Sequence, residues 1–230
     1  GGLGLDQSHW LPWNLAAGFL ILVLIGFADD RWRLTPLPRL AVQSIGAAVL
    51  LWGHAPVLIA GTGLEAGWHL AGAPLAVIGL LFIVGAANAT NMLDGADGLA
   101  GATVAVALVW LALIGIHVGD LFVGSQALVL AAAVVGFLLF NARHPWRASA
   151  SIFMGDAGSM LLGGALAVFV LHLASGSSAT PAVPFVTLLW VVIVPICDTL
   201  SLIIRRVSFG RSPLSADRWH LHHLLLDCGV

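Results

Sequence analysis

The sequence predicts an all-α fold, a polytopic helical membrane protein of about seven transmembrane segments. Three observations predict it. Of the 230 residues, 60% are hydrophobic and only 9% charged, with a mean hydropathy of +1.02, a balance foreign to soluble domains. The apolar residues gather into runs near the length that a hydrocarbon core demands. The positive side chains, all nine of them arginine, fall on alternate connections between those runs.

Taken in order, the runs are 15–28, 40–58, 71–87, 99–117, 121–140, 157–174 and 182–204. The first is short for a span, and the Gly and Ala within the others suit close helix packing in lipid. Arg31, Arg33 and Arg39 follow run one, Arg143 and Arg147 follow run five, and Arg205, Arg206, Arg211 and Arg218 end or follow run seven. If successive runs alternate in direction, all these connections emerge on one side, which the positive-inside rule makes the cytoplasm. The opposite connections, 59–70, 118–120 and 175–181, contain no arginine. No linker or internal repeat divides the chain, so it reads as a single intramembrane domain over 1–230. It starts at Gly1 without Met or a leader and reads as truncated at both ends. Cys197 and Cys228 give neither a disulfide framework nor zinc spacing and read as free thiols.

Four polar clusters interrupt this apolar chain, and all face the predicted cytoplasmic side. They are Asp29-Asp30, the stretch from Asn88 to Gly98, the stretch from Phe153 to Ser159, and the stretch from Asp217 to His223. A carboxylate beside hydrocarbon costs about 2.5 to 3.5 kcal/mol on insertion scales, so idle ones tend to be lost. Neighbours on a helix point about 100° apart, so Asp29 and Asp30 should serve different partners; the competing reading pairs them with Arg31 and Arg33 at a snorkelling helix end. Asn88, Asn91, Asp94 and Asp97 recur every three residues near Gly95 and Gly98, hard oxygen ligands suited to Mg²⁺ with a diphosphate, where a plain polar turn is the alternative. Asn88-Ala-Thr90 also fits a glycosylation acceptor, a chance match on the cytoplasmic side.

The third cluster opens run six, where a helix N-terminus attracts phosphate; Asp156 would repel it unless a metal intervened. Phe153 either packs in the core or stacks on a base. In the fourth, Arg218 could grip phosphate oxygens with His220, His222 and His223 beside it; zinc is the rival ligand, but the histidine spacing suits it poorly.

Gly26-Phe-Ala-Asp29-Asp30, Asn88-Ala-Thr-Asn91-Met-Leu-Asp94-Gly-Ala-Asp97-Gly-Leu, Phe153-Met-Gly-Asp156-Ala-Gly-Ser159 and Ser212-Pro-Leu-Ser-Ala-Asp217-Arg218-Trp-His220-Leu-His222-His223 together resemble the polyprenyl-phosphate N-acetylhexosamine-1-phosphate transferases of glycosyltransferase family 4. His220-Leu-His222-His223 is more similar to the bacterial branch that starts O-antigen, enterobacterial common antigen, teichoic acid or arabinogalactan linkers than to the muramoyl-pentapeptide branch. The resemblance implies transfer of an N-acetylhexosamine-1-phosphate, GlcNAc-1-phosphate first among them, from a UDP-sugar to polyprenyl (undecaprenyl) phosphate, with release of UMP. It implies Mg²⁺, with Mn²⁺ as a substitute, at the cytoplasmic face of a bacterial inner membrane.

Residue by residue, the resemblance implies that Asp156 and Asn91 are metal ligands and that Phe153 stacks on uracil beside Asp97. It implies Asp29, Asp30, Asp94 and Asp97 as the catalytic carboxylates, without choosing a base among them, and Arg218, His220, His222 and His223 as the diphosphate-binding loop. The implied partners are a UDP-N-acetylhexosamine, polyprenyl phosphate and membrane lipid, with no nucleic acid; a homodimer is left open. The family's usual Pro-x-x-Gly-Gly segment has only Gly1-Gly2 as a counterpart here. Two other classes compete: an intramembrane aspartyl protease, and an ion-coupled transporter using Asp198 inside run seven.

Overall fold

The computed structural model describes residues 12–52, 73–147, 149–176 and 182–212. All seven apolar runs fold as helices: α1 Trp13–Trp32, α2 Pro36–Leu51, α3 Ala73–Leu93, α4 Leu99–His117, α5 Leu121–Asn141, α6 Gly155–Ser175 and α7 Phe185–Ser208, the last passing through a 3₁₀ turn at Trp190–Val192. Among the described residues six of these are long and apolar enough to cross a membrane, and the exception is α2.

The first run is therefore not the short one. Asp29, Asp30, Arg31 and Trp32 continue the helix beyond the apolar stretch, giving α1 20 residues, until Arg33 turns left-handed at φ 50°. Run two instead yields the 16-residue α2, which starts at Pro36 because proline's fixed φ and missing N–H suit the first helical position. Even so, α2 reaches the far end of α1: the Asn14 side-chain amide donates to the Trp52 carbonyl at 2.9 Å, so start and finish of this antiparallel pair meet.

α6 is the axle. It packs against both α1 and α3, and 67% of it is buried, more than any other span. Two glycines permit the approach. A Cβ on Gly26 would stand 2.5 Å from the Cα of Ala157, and one on Gly163 would collide with the Ala86 carbonyl oxygen. Without a hydrophobic drive between helices in lipid, such backbone contact is what holds them. Around α6 lie two apolar cores: Leu22, Leu50, Ile83 and Ala167 join α1, α2, α3 and α6, while Leu108, Val134, Leu166 and Leu188 join α4, α5, α6 and the start of α7.

Outward-facing side chains such as Leu20, Leu24, Val106, Leu113 and Val129 are exposed, as a lipid solvent allows. Exposed tryptophans mark both ends, Trp32 and Trp146 at one and Trp13 and Trp52 at the other, in the manner of interfacial belts. The helix directions bring the C-termini of α1 and α3 and the N-terminus of α6 to the same end.

Candidate active site

Asp29 and Asp30 do face different partners. Asp29 is buried; its carboxylate accepts the Leu34 N–H at 2.7 Å and pairs with Arg39 of α2 at 2.6 Å, so its counter-cation is neither Arg31 nor Arg33. The Asp156 carboxyl is its neighbour across the α1–α6 packing. Asp30 is exposed and accepts the backbone N–H of Asp156 at 2.9 Å and of Ala157 at 3.3 Å. It therefore caps α6 from another helix. The α6 N-terminus, expected from sequence to draw phosphate, is filled by this carboxylate of the chain itself.

The last turns of α3 supply the facing wall. Asn91 donates through its side-chain amide to Asp156 Oδ1 at 2.7 Å and to Ser159 Oγ at 3.1 Å. One turn earlier, Asn88 donates to Gln43 Oε1 at 2.7 Å and to the Val84 carbonyl at 2.8 Å. Asp94 lies just past the helix end, its N–H bonded to the Asn91 carbonyl at 3.2 Å. Its carboxylate has no hydrogen bond among the described residues. Burial, with the neighbouring charges of Asp156 and Asp30, pushes its pKa up to about 6.

Asp97 has the opposite environment. It accepts from the Ala150 N–H and from Arg143 Nε, each at 3.1 Å, and these bonds hold its pKa below the ordinary carboxylate range. Buried Asn141 reinforces the same junction, accepting from the Gly98 N–H at 3.0 Å and donating to the Ile152 carbonyl at 2.8 Å. Together they lash the α3–α4 turn to the α5–α6 connection that carries Phe153. That ring is 79% exposed, which removes the core-packing reading, and it borders a cavity of about 310 Å³ with Phe137, Met154 and Leu161 among its walls.

Asp29, Asp30, Asn91, Asp94 and Asp156 are thus brought together, with Asp97 and Phe153 on the adjoining junction. Arg218, His220, His222 and His223 lie outside the described residues, as does Cys228; Cys197 is a free thiol. Among the described residues no group of three His, Cys, Asp or Glu side chains is arranged to hold a metal ion. Asp198 sits partly buried on α7, next to Thr199, whose hydroxyl approaches Met92 Sδ at 4.0 Å, so this part of α7 flanks the site. Sequence reasoning passed over Gln43 and Asn141 and read Arg39 only as a topology marker. Gln43 and Asn141 did carry a signal, each a lone amide inside or closing an apolar run.

Residues 12–174 match the pattern of Glycosyl transferase family 4. The chain belongs to that family. It is 36% identical, over 98% of its length, to a decaprenyl-phosphate N-acetylglucosaminephosphotransferase of Mycolicibacterium smegmatis, covering 59% of that protein. To an undecaprenyl-phosphate alpha-N-acetylglucosaminyl 1-phosphate transferase of Yersinia pestis it is 33% identical over 96% of its length, covering 60% of the relative. A protein of the same name from Escherichia coli O157:H7 is 32% identical over 91% of the chain and 56% of the relative. The chain spans somewhat under two thirds of the length of these relatives, and the matched family region holds every one of the described site residues from Asp29 to Asp156.

Proposed function

We propose that this chain forms the core of an enzyme that moves N-acetylhexosamine-1-phosphate, in the first instance GlcNAc-1-phosphate, from a UDP-sugar to polyprenyl phosphate and releases UMP. The reaction would open a cell-envelope polysaccharide pathway at the cytoplasmic face of a bacterial inner membrane. The observation that carries this reading is the convergence of Asp29, Asp30, Asp94 and Asp156 from α1, α3 and α6 at one end of the bundle. Arg39 is bonded to just one of them. Among the described residues the other three carboxylates form no salt bridge, which suits a site that works with a cation and phosphates, and family membership supplies the reaction class.

The donor set fits a divalent ion. Asp156 stands against Asn91 at 2.7 Å with Asp29, Asp30 and Asp94 as neighbouring carboxylates, and carboxylates so grouped favour a proton or a cation among them. Asp156 and Asn91 would hold Mg²⁺; a pair of protein ligands is enough for an ion that keeps several waters and takes phosphate oxygens. Bound there, Mg²⁺ would neutralise charge on the diphosphate as UMP departs. Arg39 holds the Asp29 carboxylate in place. Asp30 holds the start of α6, and with it Asp156, in register with α1. Asp94, free of hydrogen bonds among the described residues and titrating near 6, is suited to accept a proton from the lipid phosphate close to neutral pH. Phe153, exposed beside the Asp97 junction, offers a face for uracil, and Arg218 with His220, His222 and His223 would contact the diphosphate.

The deciding experiment incubates the full-length protein with polyprenyl phosphate, Mg²⁺ and a panel of radiolabelled UDP-sugars. Labelled lipid and stoichiometric UMP are expected, with UDP-GlcNAc the best donor; lipid that stays unlabelled with every donor sinks the proposal. Ion flux or peptide cleavage without labelled lipid would turn the reading to a transporter or an aspartyl protease. Orientation is checked separately. A cysteine at exposed Ser149 should react with impermeant thiol reagents only from the cytoplasmic side, and one at exposed His117 only from the other.

A further inference from the structure

Besides Ser44, which bonds back to the Leu40 carbonyl of its own helix, α2 carries two polar side chains, Arg39 and Gln43, one helical turn apart and so on one face. Arg39 has its evident partner in Asp29. Gln43 is the stranger residue: it is fully buried in the middle of the bundle, where a leucine would avoid the cost of burying an amide. Its carbonyl oxygen accepts the Asn88 amide at 2.7 Å, and its own amide points at Met160 Sδ at 3.2 Å, a weak acceptor. The second contact returns little for that cost, so the amide's value lies in where it ties the helices. Asn88 stands one turn before Asn91 on α3, and Met160 one turn after Asp156 on α6. Gln43 thus bridges α3 and α6 one turn deeper than the 2.7 Å contact between Asn91 and Asp156.

Resting on the reading that Asn91 and Asp156 hold a divalent cation, we propose that Gln43 is a positioning residue that sets the spacing of α3 and α6 at which those two side chains present their oxygens to one ion. It touches neither substrate nor metal. It acts through Asn88 and Met160; partners bonded directly to a metal ligand change metal affinity by about ten- to a hundredfold when removed, and Gln43, one contact further out, is expected at the low end of that range.

The test uses full-length protein in lipid nanodiscs and titrates Mn²⁺, followed by its electron paramagnetic resonance signal, with Asp156→Asn as reference. Gln43→Met keeps length and volume while deleting the amide. The double variant Gln43→Met/Asn88→Leu removes both polar partners, so that no buried group is left unpaired if the single variant folds poorly. Both should bind Mn²⁺ about tenfold more weakly. Their melting temperature in metal-free buffer should stay within about 4 °C of wild type. In turnover the Mg²⁺ requirement should rise in parallel, and the rate should recover towards wild type at saturating Mg²⁺. Wild-type Mn²⁺ affinity in both variants, or binding lost only in step with folded protein, overturns the proposal while Asp156→Asn still abolishes binding. If Asp156→Asn binds Mn²⁺ as wild type does, or wild type binds none, the metal reading itself has failed and this inference goes with it.

Discussion

The two ends of the bundle each place an acid at a helix start, and they treat it differently. At the end away from the site, Asp120 caps its own helix, α5, accepting the Val123 N–H at 3.0 Å, and its other oxygen meets His172 of α6 at 3.0 Å. One carboxylate, one helix end and one potential cation balance locally. At the site end the cap on α6 comes from Asp30 of α1, while Asp29, Asp94 and Asp156 crowd behind it with Arg39 their one arginine partner among the described residues. The first arrangement is complete as it stands. The second is held in place by the fold yet shows one salt bridge for four carboxylates among the described residues, and that difference sets the candidate site apart from a structural cap.

The largest expected effect tests that difference directly. Asp156→Asn keeps the size of the side chain and the α6 backbone bonds to Asp30, so the protein should remain folded and inserted. Transfer should fall by on the order of a thousandfold, about 4 kcal/mol of transition-state stabilisation. Turnover within a few-fold of wild type would show that the crowding of carboxylates has nothing to do with catalysis.

Asp94→Asn sharpens the comparison, because it should damage activity while improving stability. With its folded pKa near 6 against 3.8 for the unfolded chain, the group binds its proton more tightly when folded. Stability therefore falls as pH rises from about 4 to 6, and the full penalty persists above 6. Removing the charge should raise the melting temperature in Mg²⁺-free buffer at pH 7.5 by roughly 2 to 4 °C, allowing for the water that reaches this half-buried group. The gain should vanish below about pH 4. Transfer should drop by about a hundredfold if the carboxylate accepts the proton. Asp97 has the reverse sign: bonds to Arg143 and Ala150 lower its pKa, so its contribution is present above pH 4 and is lost in acid. A variant at Asp94 that loses stability at neutral pH would contradict the crowding argument.

Much of this contrast is legible in the chain. Hydropathy located all seven helices, and the one-sided arginines grouped the ends that come together. Helix length misled at α1 and α2, since Asp29 to Trp32 continue a helix that hydropathy cuts short, while α2 begins at Pro36, before the apolar run, and ends at Leu51, before the run does. The site's acids stood out because carboxylates are rare next to lipid. Their partners did not: that Arg39 rather than Arg31 meets Asp29 depends on how α2 packs on α1, and that Asp30 caps α6 depends on a helix crossing made possible by Gly26, neither of which a local pattern encodes. Gln43 and Asn141 escaped for the same reason, since an amide's role is set by what lies across from it.

Phe153→Ala yields a smaller and more specific effect. The ring's exposure means that stability should change by less than about 0.5 kcal/mol. If the ring stacks on uracil, affinity for free UMP and for the UDP-sugar should weaken together by about 1 to 3 kcal/mol, roughly five- to 150-fold. Calorimetry with UMP measures this apart from turnover. Unchanged UMP affinity would move the nucleotide pocket away from the junction that Asp97 and Asn141 lash together.

The smallest effect is expected at the opposite end, and its smallness is the point. Asp120→Asn keeps an oxygen able to accept the Val123 N–H, so the α5 cap survives and only the pairing with His172 is weakened. That pair is partly solvent-exposed, and such pairs contribute about 0 to 1 kcal/mol. Asp120→Ala removes the cap as well and should cost about 0.5 to 2 kcal/mol. Thermal unfolding should separate the two variants. In neither case should transfer at saturating substrate change by more than about twofold, because the carboxylate at this end completes a local balance and leaves nothing over for a ligand. If Asp120→Asn instead slowed transfer as strongly as Asp156→Asn, the distinction between the two ends would collapse, and the excess of carboxylate would no longer serve to recognise the site.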